Sequence, residues 1–394
     1  ATFVLGPGPA IAWTLHLLDL ARWRAAPTAV TLAGGVRWLG FAADGEALFW
    51  LTGGDLDPFT SAPLKGELGR YDPRTGTATT VLALPYTFGP DNVPDVRPLR
   101  GDRLGLYGVP VAPDGWATDA PHLLVVDLPT GRVMTDLRLG GVRAGRVPDG
   151  EGPDAPPTSH APGLAWDVAR DRLYVAHADE DRVTVVDLAA GVVRRQEDIR
   201  DQTPLPTGAG PWETRSAAPI AGGSRPALLS ADGRRLFLFG QRSTAERLPD
   251  GRWRERIFLR GIRVVNTTTP REVGGLALGG AAALSPDGRR LLVHTARYVG
   301  GAPSPHSEDF RLYVFDAASL AELGRLDTEP GDIWFQGFSL DGHHAYLAHL
   351  PAWVQGRPSR EYQLAIFDLE GRRFVAERAF AHATRLIPLW EIER

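Results

Sequence analysis

The stretch "SPDGRRLLVHTA" at residues 285–296 decides the fold, because near-copies of it lie on both sides along the chain. "SADGRRLFLFG" occupies 230–240 and "SLDGHHAYLAH" occupies 339–349. Each copy places Asp-Gly before a short run of mostly apolar residues. Glycine adopts the left-handed backbone that tight turns need, and the continuous apolar run predicts a strand that is covered on both faces.

Nine-residue copies of this pattern align without gaps along the whole chain. They read "DGEALFWLT" (44–52), "RGDRLGLYG" (100–108), "ARDRLYVAH" (169–177), "DGRRLFLFG" (232–240), "DGRRLLVHT" (287–295) and "DGHHAYLAH" (341–349). The turn is followed each time by four or five apolar residues. The chain is therefore predicted to be a repeat protein of short β-strands.

A second element follows each copy and ends in Asp or Asn. Examples are "LLVVD" (123–127), "VTVVD" (183–187), "IRVVN" (262–266) and "LYVFD" (312–316), and an additional "LHLLD" occupies 15–19. Asp and Asn suit this position because their side chains hydrogen-bond to the backbone two residues further on. Each such residue therefore predicts another turn, after which a further strand begins.

Each unit is thus predicted to contain four strands: A before the Asp-Gly turn, B after it, C ending at the Asp, and D after the second turn. Seven C strands in 394 residues give a period of about 56 residues, which with four strands per unit is typical of a propeller. No segment keeps a helical apolar stripe, and a sandwich or barrel does not explain two different turns in fixed order. The predicted fold is an all-β, seven-bladed β-propeller.

The two chain ends are predicted to share the closing blade. Residues 1–34 contain segments that match strands B, C and D, and residues 384–394 contain "TRLIPLW", which matches strand A. Pairing these strands in one sheet would close the ring and cover two exposed sheet edges. Residues 1–394 are therefore predicted to form a single domain.

The repeats "SPDGRRLLV…LYVFD" and "RDRLYVAH…VTVVDL" resemble those of the YVTN-type seven-bladed propellers of secreted and surface proteins. They are also similar to the broader group that contains the quinoprotein amine dehydrogenase heavy chains. The resemblance covers nearly the whole chain and implies the fold, whereas these motifs are structural and imply little about activity. The sequence lacks the WD and GH signatures of WD40 blades.

Composition limits the function classes. A net charge of −4 and a pI of about 6.2 give no basic footprint for nucleic acid. The chain has no cysteine, and no apolar run reaches the ~20 residues of a membrane span. Lys65 is the only lysine, a bias that fits a GC-rich genome such as that of a thermophile. The start at Ala1, without methionine, fits either a removed export signal or a shortened chain. The first interpretation is favoured and predicts a secreted, periplasmic or surface protein.

Long insertions on one face of the predicted propeller indicate which face binds a partner. They fall in the B–C and D–A connections, at 53–66, 109–121, 140–162, 198–224, 241–260, 297–309 and 350–360. Insertions on one face of a repeat protein usually mark its binding face, and Trp, Tyr and Arg are enriched at binding hot spots. The predicted binding residues, all assigned to loops, are Phe59, Trp116, His160, Trp212, Trp253, Arg254, His306 and Trp353.

The other candidate sites, which are histidines and acidic loops, can also be explained by an ordinary structural role. His177 and His349 end strand B in different blades, so they are interpreted as buried, hydrogen-bonded residues rather than as a metal pair. The acidic, Gly-rich stretches 53–60 and 148–154 could bind calcium, although neither fits an EF-hand loop. No nucleophile elbow, HExxH or P-loop motif is present. No catalytic residue is predicted, and no cofactor or metal is predicted apart from that possible calcium.

Two functional hypotheses follow. The first is a non-enzymatic binding or scaffold propeller that engages a protein or glycan partner through the long-loop face, as a subunit of a larger assembly. The alternative is a propeller enzyme, either a lactonase or lyase with its site at the channel mouth or a quinoprotein-like heavy chain. The sequence predicts no nucleic-acid partner and leaves the oligomeric state open. Fold analogy does not choose between these hypotheses.

Overall fold

The protein is described from a computed structural model. The structure describes residues 2–7, 12–19, 24–33, 36–41, 47–52, 66–72, 75, 77–87, 95–148, 157–199, 212–216, 221–250, 253–269, 271–299, 306–327, 331–339, 341–351, 362–371, 373–380 and 385–388. Their regular secondary structure is almost entirely β-strand, numbered β1–β31 in chain order, with one 3-10 turn at Val168–Arg170. No helix in these ranges has the length and hydropathy of a membrane-spanning segment.

Twenty of the described strands form five separate four-stranded antiparallel sheets. In chain order these are β31, β1, β2 and β3 (Arg385–Pro388, Thr2–Pro7, Ala12–Asp19, Arg24–Ala33); β4–β7 (Val36–Phe41, Leu48–Thr52, Glu67–Asp72, Thr77–Ala83); β8–β11 (Asp95–Leu99, Arg103–Gly108, His122–Asp127, Arg132–Arg138); β23–β26 (Ala281–Leu284, Arg290–Val299, His306–Asp316, Glu322–Asp327); and β27–β30 (Gly331–Phe338, His344–Pro351, Tyr362–Asp368, Arg373–Phe380).

The other strands share one eleven-stranded sheet. It comprises β12–β22 (Gly145–Pro148, Pro157–Asp167, Arg172–Ala176, Arg182–Asp187, Val192–Asp198, Trp212–Ser216, Ala221–Arg225, Ala227–Leu229, Arg235–Arg247, Trp253–Asn266 and Glu272–Leu276). Within it, β13–β16 and β19–β22 are two antiparallel four-stranded runs. They are joined because β13 pairs with β18 in parallel and β18 pairs with β20.

The predicted strand order is confirmed within the described units. The N-terminal β1 lies between β2 and the C-terminal β31, with Val4 opposite Leu386. The four-stranded sheets follow the order A, B, C, D, as in β8–β11. The observed architecture is therefore nearly all β with a propeller-like arrangement of sheets.

The repeated Ser-x-Asp-Gly motif is explained by its hydrogen bonds. The Ser285 hydroxyl donates to Asp287 Oδ1 at 2.6 Å, and the same oxygen accepts the Arg289 N–H at 3.0 Å. Gly288 takes a φ of 68° and donates its N–H to the Ser285 carbonyl. The turns at 230–235 and 339–344 repeat these contacts. The motif therefore specifies the same turn at each of its three positions.

The hydrophobic core lies between successive sheets. One cluster combines Leu51 of β5 with Leu106 of β9, and another combines Leu312 of β25 with Leu347 of β28. The apolar runs after the turns are buried on both faces, as predicted: Leu236, Leu291, Val293 and Leu347 are each 1% exposed or less. Packing sheet against sheet in this way accounts for B strands that are apolar without alternation.

The prediction that the insertion at 241–260 is a loop is wrong. β20 extends to Arg247 and β21 begins at Trp253, so most of the insertion is a paired hairpin. Strand pairing satisfies backbone groups that an irregular loop would leave to water. The loop prediction is also wrong for four of the predicted binding residues, which lie in strands: Trp212, Trp253, Arg254 and His306.

His160 also lies in a strand, β13, and not in a loop as predicted. It is opposite Gly145 of β12 and Gly223 of β18, so β13 is paired along both sides there, and the His160 side chain is 5% exposed. Trp116 is in an ordered connection after β9. Phe59 and Trp353 lie outside the described residues, as do both predicted calcium segments except Pro148.

Candidate functional site

The candidate site lies where the two runs of the eleven-stranded sheet meet. The 177–181 connection between β14 and β15 reaches the end of β18. There the Arg225 guanidinium donates from Nη1 to the Glu180 carbonyl at 3.0 Å and to Asp181 Oδ1. The Arg225 side chain is 2% exposed. A guanidinium buried to this degree normally needs a paired anion, so this ion pair anchors one wall of the site.

Close backbone packing at two glycines holds this wall together. A Cβ on Gly163 of β13 would lie 1.9 Å from the Arg225 carbonyl oxygen, and one on Gly240 would lie 2.2 Å from the Ser224 carbonyl oxygen. Gly240 also takes a φ of 121°, at a register shift between β20 and β21. Only glycine combines this conformation with such an approach. The resulting bulge redirects the hairpin.

The extended hairpin lines a cavity of about 490 Å³ on this wall. Its charged residues are Asp181 and four arginines, namely Arg225, Arg242, Arg260 and Arg263. Leu238, Phe239, Phe258 and Leu259 supply apolar surface, and Thr244 and Gly261 complete the lining. The four guanidinium groups outnumber the single carboxylate, so the cavity favours a negatively charged ligand.

Arg260 is the cavity arginine whose charge is most strongly disfavoured by its surroundings. Burial, together with neighbouring Arg225 and Arg242, lowers its pKa to about 10, against the opposing effect of Asp181. The guanidinium is still charged at neutral pH. Its Nη1 is shielded from solvent and makes no hydrogen bond to any residue that the structure describes. A buried donor without a partner is costly, and an anion in the cavity would offset that cost.

Asp181 is the acidic counterpart in the cavity. Partial burial opposes its ionisation, but Arg225, with Arg260 and Arg263, outweighs burial and holds its pKa below the usual range. Asp181 is therefore ionised at neutral pH. Arg263 is 3.7 Å from Glu272, so part of its charge is balanced outside the cavity.

The prediction that His177 is a buried, hydrogen-bonded residue is confirmed. Its side chain is fully buried, Nε2 lies 2.8 Å from Thr184 Oγ1, and Nδ1 lies 3.1 Å from Glu180 Oε1. Burial lowers its pKa, although the nearby Glu180 and Asp179 carboxylates oppose that effect. The neutral imidazole therefore supports the connection that carries Asp181.

A second titratable network lies in the β8–β11 sheet. His122 Nδ1 is 2.6 Å from Asp136 Oδ1, and the Tyr86 hydroxyl donates to the other oxygen of Asp136. Arg138 Nε donates to Asp119 Oδ1 at 2.6 Å, and Asp119 Oδ2 lies 3.4 Å from His122 Nε2. The named side chains bond to one another, so this network has the features of a structural unit rather than of a binding site.

Of the predicted binding residues, Trp212, Trp253 and Arg254 lie in the pairing of β17 with β21, but Trp212, opposite Ile257, is at the other end of it from Trp253 and Arg254. Trp253 lies opposite Ser216 and Arg254 opposite Arg215. Trp253 also lies 6.0 Å from the Arg247 guanidinium.

Trp116 lies elsewhere, under Arg146, whose guanidinium is 4.6 Å from the indole ring centre. His306 of β25 is opposite Val299 of β24. The structure therefore does not gather the predicted residues into one site.

The cavity arginines were missed by sequence reasoning, which attributed the arginine content to genome composition. The available signal was local. In "RWRERIFLRGIR" at 252–263, Arg254, Arg256 and Arg260 are separated by two and then four residues. In a paired strand, alternate residues lie on the same face, so such spacing places several guanidinium groups together.

No family model and no curated protein matches this chain. Solved structures match nearly its whole length. The periplasmic gluconolactonase of Pseudomonas aeruginosa has a TM-score of 0.56 at 16% identity, covering 98% of this chain and 99% of that chain. A putative 6-phosphogluconolactonase from Bacteroides fragilis has a TM-score of 0.53 at 12% identity, covering 98% and 96%.

The C-terminal WD40 domain of Sif2 has a TM-score of 0.51 at 11% identity, covering 94% of this chain and 79% of that chain. At these identities the likeness concerns the fold, which supports a β-propeller-type arrangement of the sheets.

Proposed function

We propose that this chain is a propeller enzyme of the lactonase type that binds a small anionic substrate in the arginine cavity. The observation that carries the proposal is the set of four guanidinium groups around a single carboxylate, with Arg260 Nη1 left without a hydrogen-bond partner among the described residues. Such a set suits a carboxylate or phosphate group, which accepts several charge-assisted hydrogen bonds. The substrate class is a sugar lactone that carries such a group.

The cavity also suits the chemistry of lactone hydrolysis. A water molecule adds to the acyl carbon and loses a proton, and the carbonyl oxygen takes up negative charge. The carbonyl then re-forms as the ring C–O bond breaks, and the proton lost by the water goes to the ring oxygen, which leaves a hydroxy acid. Guanidinium groups held in place before the reaction stabilise that oxyanion. Asp181 is the ionised group that orients the water. The cavity volume of about 490 Å³ falls within the ~300–1,000 Å³ range of small-molecule sites.

Full-length fold likeness to two lactonases supports testing this activity first. Activity does not follow from fold, so the proposal depends on the cavity. The non-enzymatic hypothesis remains a prediction, with a protein or glycan as partner. Its described aromatic candidates Trp116 and Trp253 each lie beside an arginine of this chain, which favours a role in local packing.

The test is a hydrolysis assay with 6-phosphogluconolactone, which carries an anionic group, and with uncharged gluconolactone for comparison; the phosphorylated lactone should be the better substrate. Arg260→Gln should lower kcat/KM by about 100-fold, the usual effect of removing one oxyanion donor. Arg247→Gln is the matched control, because Arg247 lies in the same hairpin beside Trp253 and outside the cavity lining. It should change kcat/KM by less than about twofold. Failure of the wild-type protein to hydrolyse either lactone above the buffer rate would refute the lactonase assignment.

The proposal extends to architecture and location. The five four-stranded sheets and the two runs of the eleven-stranded sheet support a seven-bladed ring in one domain, closed where β31 pairs with β1. An electron-microscopy map of the purified chain should contain seven blades, and six or eight would refute the count.

We also propose an extracytoplasmic location. Cell fractionation that finds the native protein in the cytoplasm would contradict it.

A further inference from the structure

We propose that His177, Asp179 and Glu180 bind a divalent transition-metal ion, with Zn²⁺ as the preferred cation. These residues lie in the connection between β14 and β15, and the inference is independent of the proposed lactonase activity. Each residue offers one ligand atom, and the three atoms lie within 4.8 Å of one another. Within the described part of the chain, this is the group of three His, Asp or Glu side chains with that spacing.

The distances fit a single ion. His177 Nδ1 lies 3.1 Å from Glu180 Oε1. Two ligands that each bind Zn²⁺ at about 2.1 Å with a tetrahedral angle are separated by about 3.4 Å. Widening that pair by a few tenths of an ångström therefore admits the ion. Asp179 lies between them in sequence and supplies the third ligand.

Thr184 holds the imidazole in a suitable orientation. His177 and Thr184 are both fully buried, and His177 Nε2 lies 2.8 Å from Thr184 Oγ1. With Nε2–H donating to this hydroxyl, the lone pair of Nδ1 is directed toward the two carboxylates. A hydrogen bond at the second ring nitrogen is the usual support for a metal-bound histidine.

A second observation supports a cation ligand role for Asp179. Asp179 Oδ1 is shielded from solvent and accepts no hydrogen bond from any described residue. An anionic oxygen in that position is costly unless a cation or a donor reaches it. Glu180 is differently placed, because Arg182 Nη1 donates to its Oε1 at 2.9 Å. A carboxylate has two oxygens and several lone pairs, so Glu180 can keep Arg182 and still bind the ion.

The donor set distinguishes between metals. One imidazole nitrogen with two carboxylates suits Zn²⁺ and related first-row ions. Calcium takes ~6–8 oxygen ligands, which a three-residue set containing a nitrogen does not provide. Zinc is therefore expected to bind more tightly than calcium.

The test uses the full chain, stripped with a chelator and titrated by calorimetry with Zn²⁺, Mn²⁺ and Ca²⁺ separately. Zn²⁺ should bind with a stoichiometry of one and raise the melting temperature, and Ca²⁺ should do neither. Asp179→Asn should weaken Zn²⁺ binding at least about tenfold. Without metal it should melt no lower than the wild type, because Asp179 Oδ1 makes no hydrogen bond that would be lost.

Asp198→Asn is the matched control. Asp198 pairs with Arg182 at 2.9 Å, so its loss removes the same charge nearby without removing a ligand. Zn²⁺ affinity in this variant should stay within about twofold of the wild-type value. No stoichiometric Zn²⁺ binding by the wild type, or equal weakening by Asp198→Asn and Asp179→Asn, would overturn the site. The metal site is tested by binding alone, so the outcome does not depend on whether the metal-free protein hydrolyses lactones.

Discussion

The β8–β11 sheet and the eleven-stranded sheet start from the same repeat and differ in what is added to it. β9 and β10 are six residues each, whereas β20 and β21 have 13 and 14. The extra length carries Arg242 and Arg260 to a cavity beside the 177–181 connection of the preceding run. The repeat thus provides the core and the turns, and the lengthened hairpin provides the candidate site.

The largest expected effect lies in what the two regions share. Leu124 of β10 and Leu238 of β20 are each 1% exposed. Leu124→Ala and Leu238→Ala should each reduce the free energy of unfolding by about 2–5 kcal/mol, because both leave a cavity between sheets. Denaturant unfolding measures this directly. A cost below about 0.5 kcal/mol at either position would show that the two sheets do not share one packing scheme.

The ion pairs of the two regions should contribute differently to the free energy of unfolding. Arg225 is 2% exposed, whereas Arg138, the partner of Asp119, is 58% exposed. Asp181→Asn leaves a buried guanidinium without its anion and should cost about 2–3 kcal/mol, after allowance for the partial exposure of Asp181. Asp119→Asn should cost clearly less, because this ion pair is open to solvent. Equal costs in chemical denaturation would remove this distinction.

The acid response follows from the same pair. Arg225 and its neighbours hold the pKa of Asp181 below the unfolded value of 3.8. Stability from this group is therefore fully present above pH 3.8 and is lost as the pH falls through the lower folded value. Between pH 5 and 3, the melting temperature of the wild type should fall more steeply than that of Asp181→Asn. Parallel curves would show that Asp181 does not contribute to acid sensitivity.

The repeat could be predicted from the sequence because it is local. Ser285, Asp287 and Gly288 bond within one turn, so their chemistry can be read from a few adjacent residues. The cavity could not be predicted in this way. Arg225 and Asp181 are 44 residues apart and meet only because β13 and β18 pair in parallel, a contact that the repeat pattern does not encode.

Replacing one glycine in each region should have a smaller effect on stability, and only the replacement beside the cavity should weaken anion binding. A Cβ on Gly163 would meet the Arg225 carbonyl oxygen, whereas one on Gly105 of β9 would meet the Trp166 ring at 2.5 Å. A backbone atom yields less easily than a side chain, so Gly163→Ala should cost about 1–3 kcal/mol and also weaken anion binding. Gly105→Ala should leave anion binding intact. Calorimetry on both variants checks this, and equal binding losses would contradict the assignment.

Titration of the purified protein with inorganic phosphate at neutral pH and low salt tests the central claim most directly. The arginine cavity should bind one phosphate per chain, and Arg260→Gln should weaken that binding at least about tenfold, as expected for a lost charge-assisted hydrogen bond. Arg138→Gln, which removes an exposed arginine of the β8–β11 sheet, should leave it within about twofold. Absence of stoichiometric binding, or equal weakening by the two variants, would contradict an anion site in the cavity.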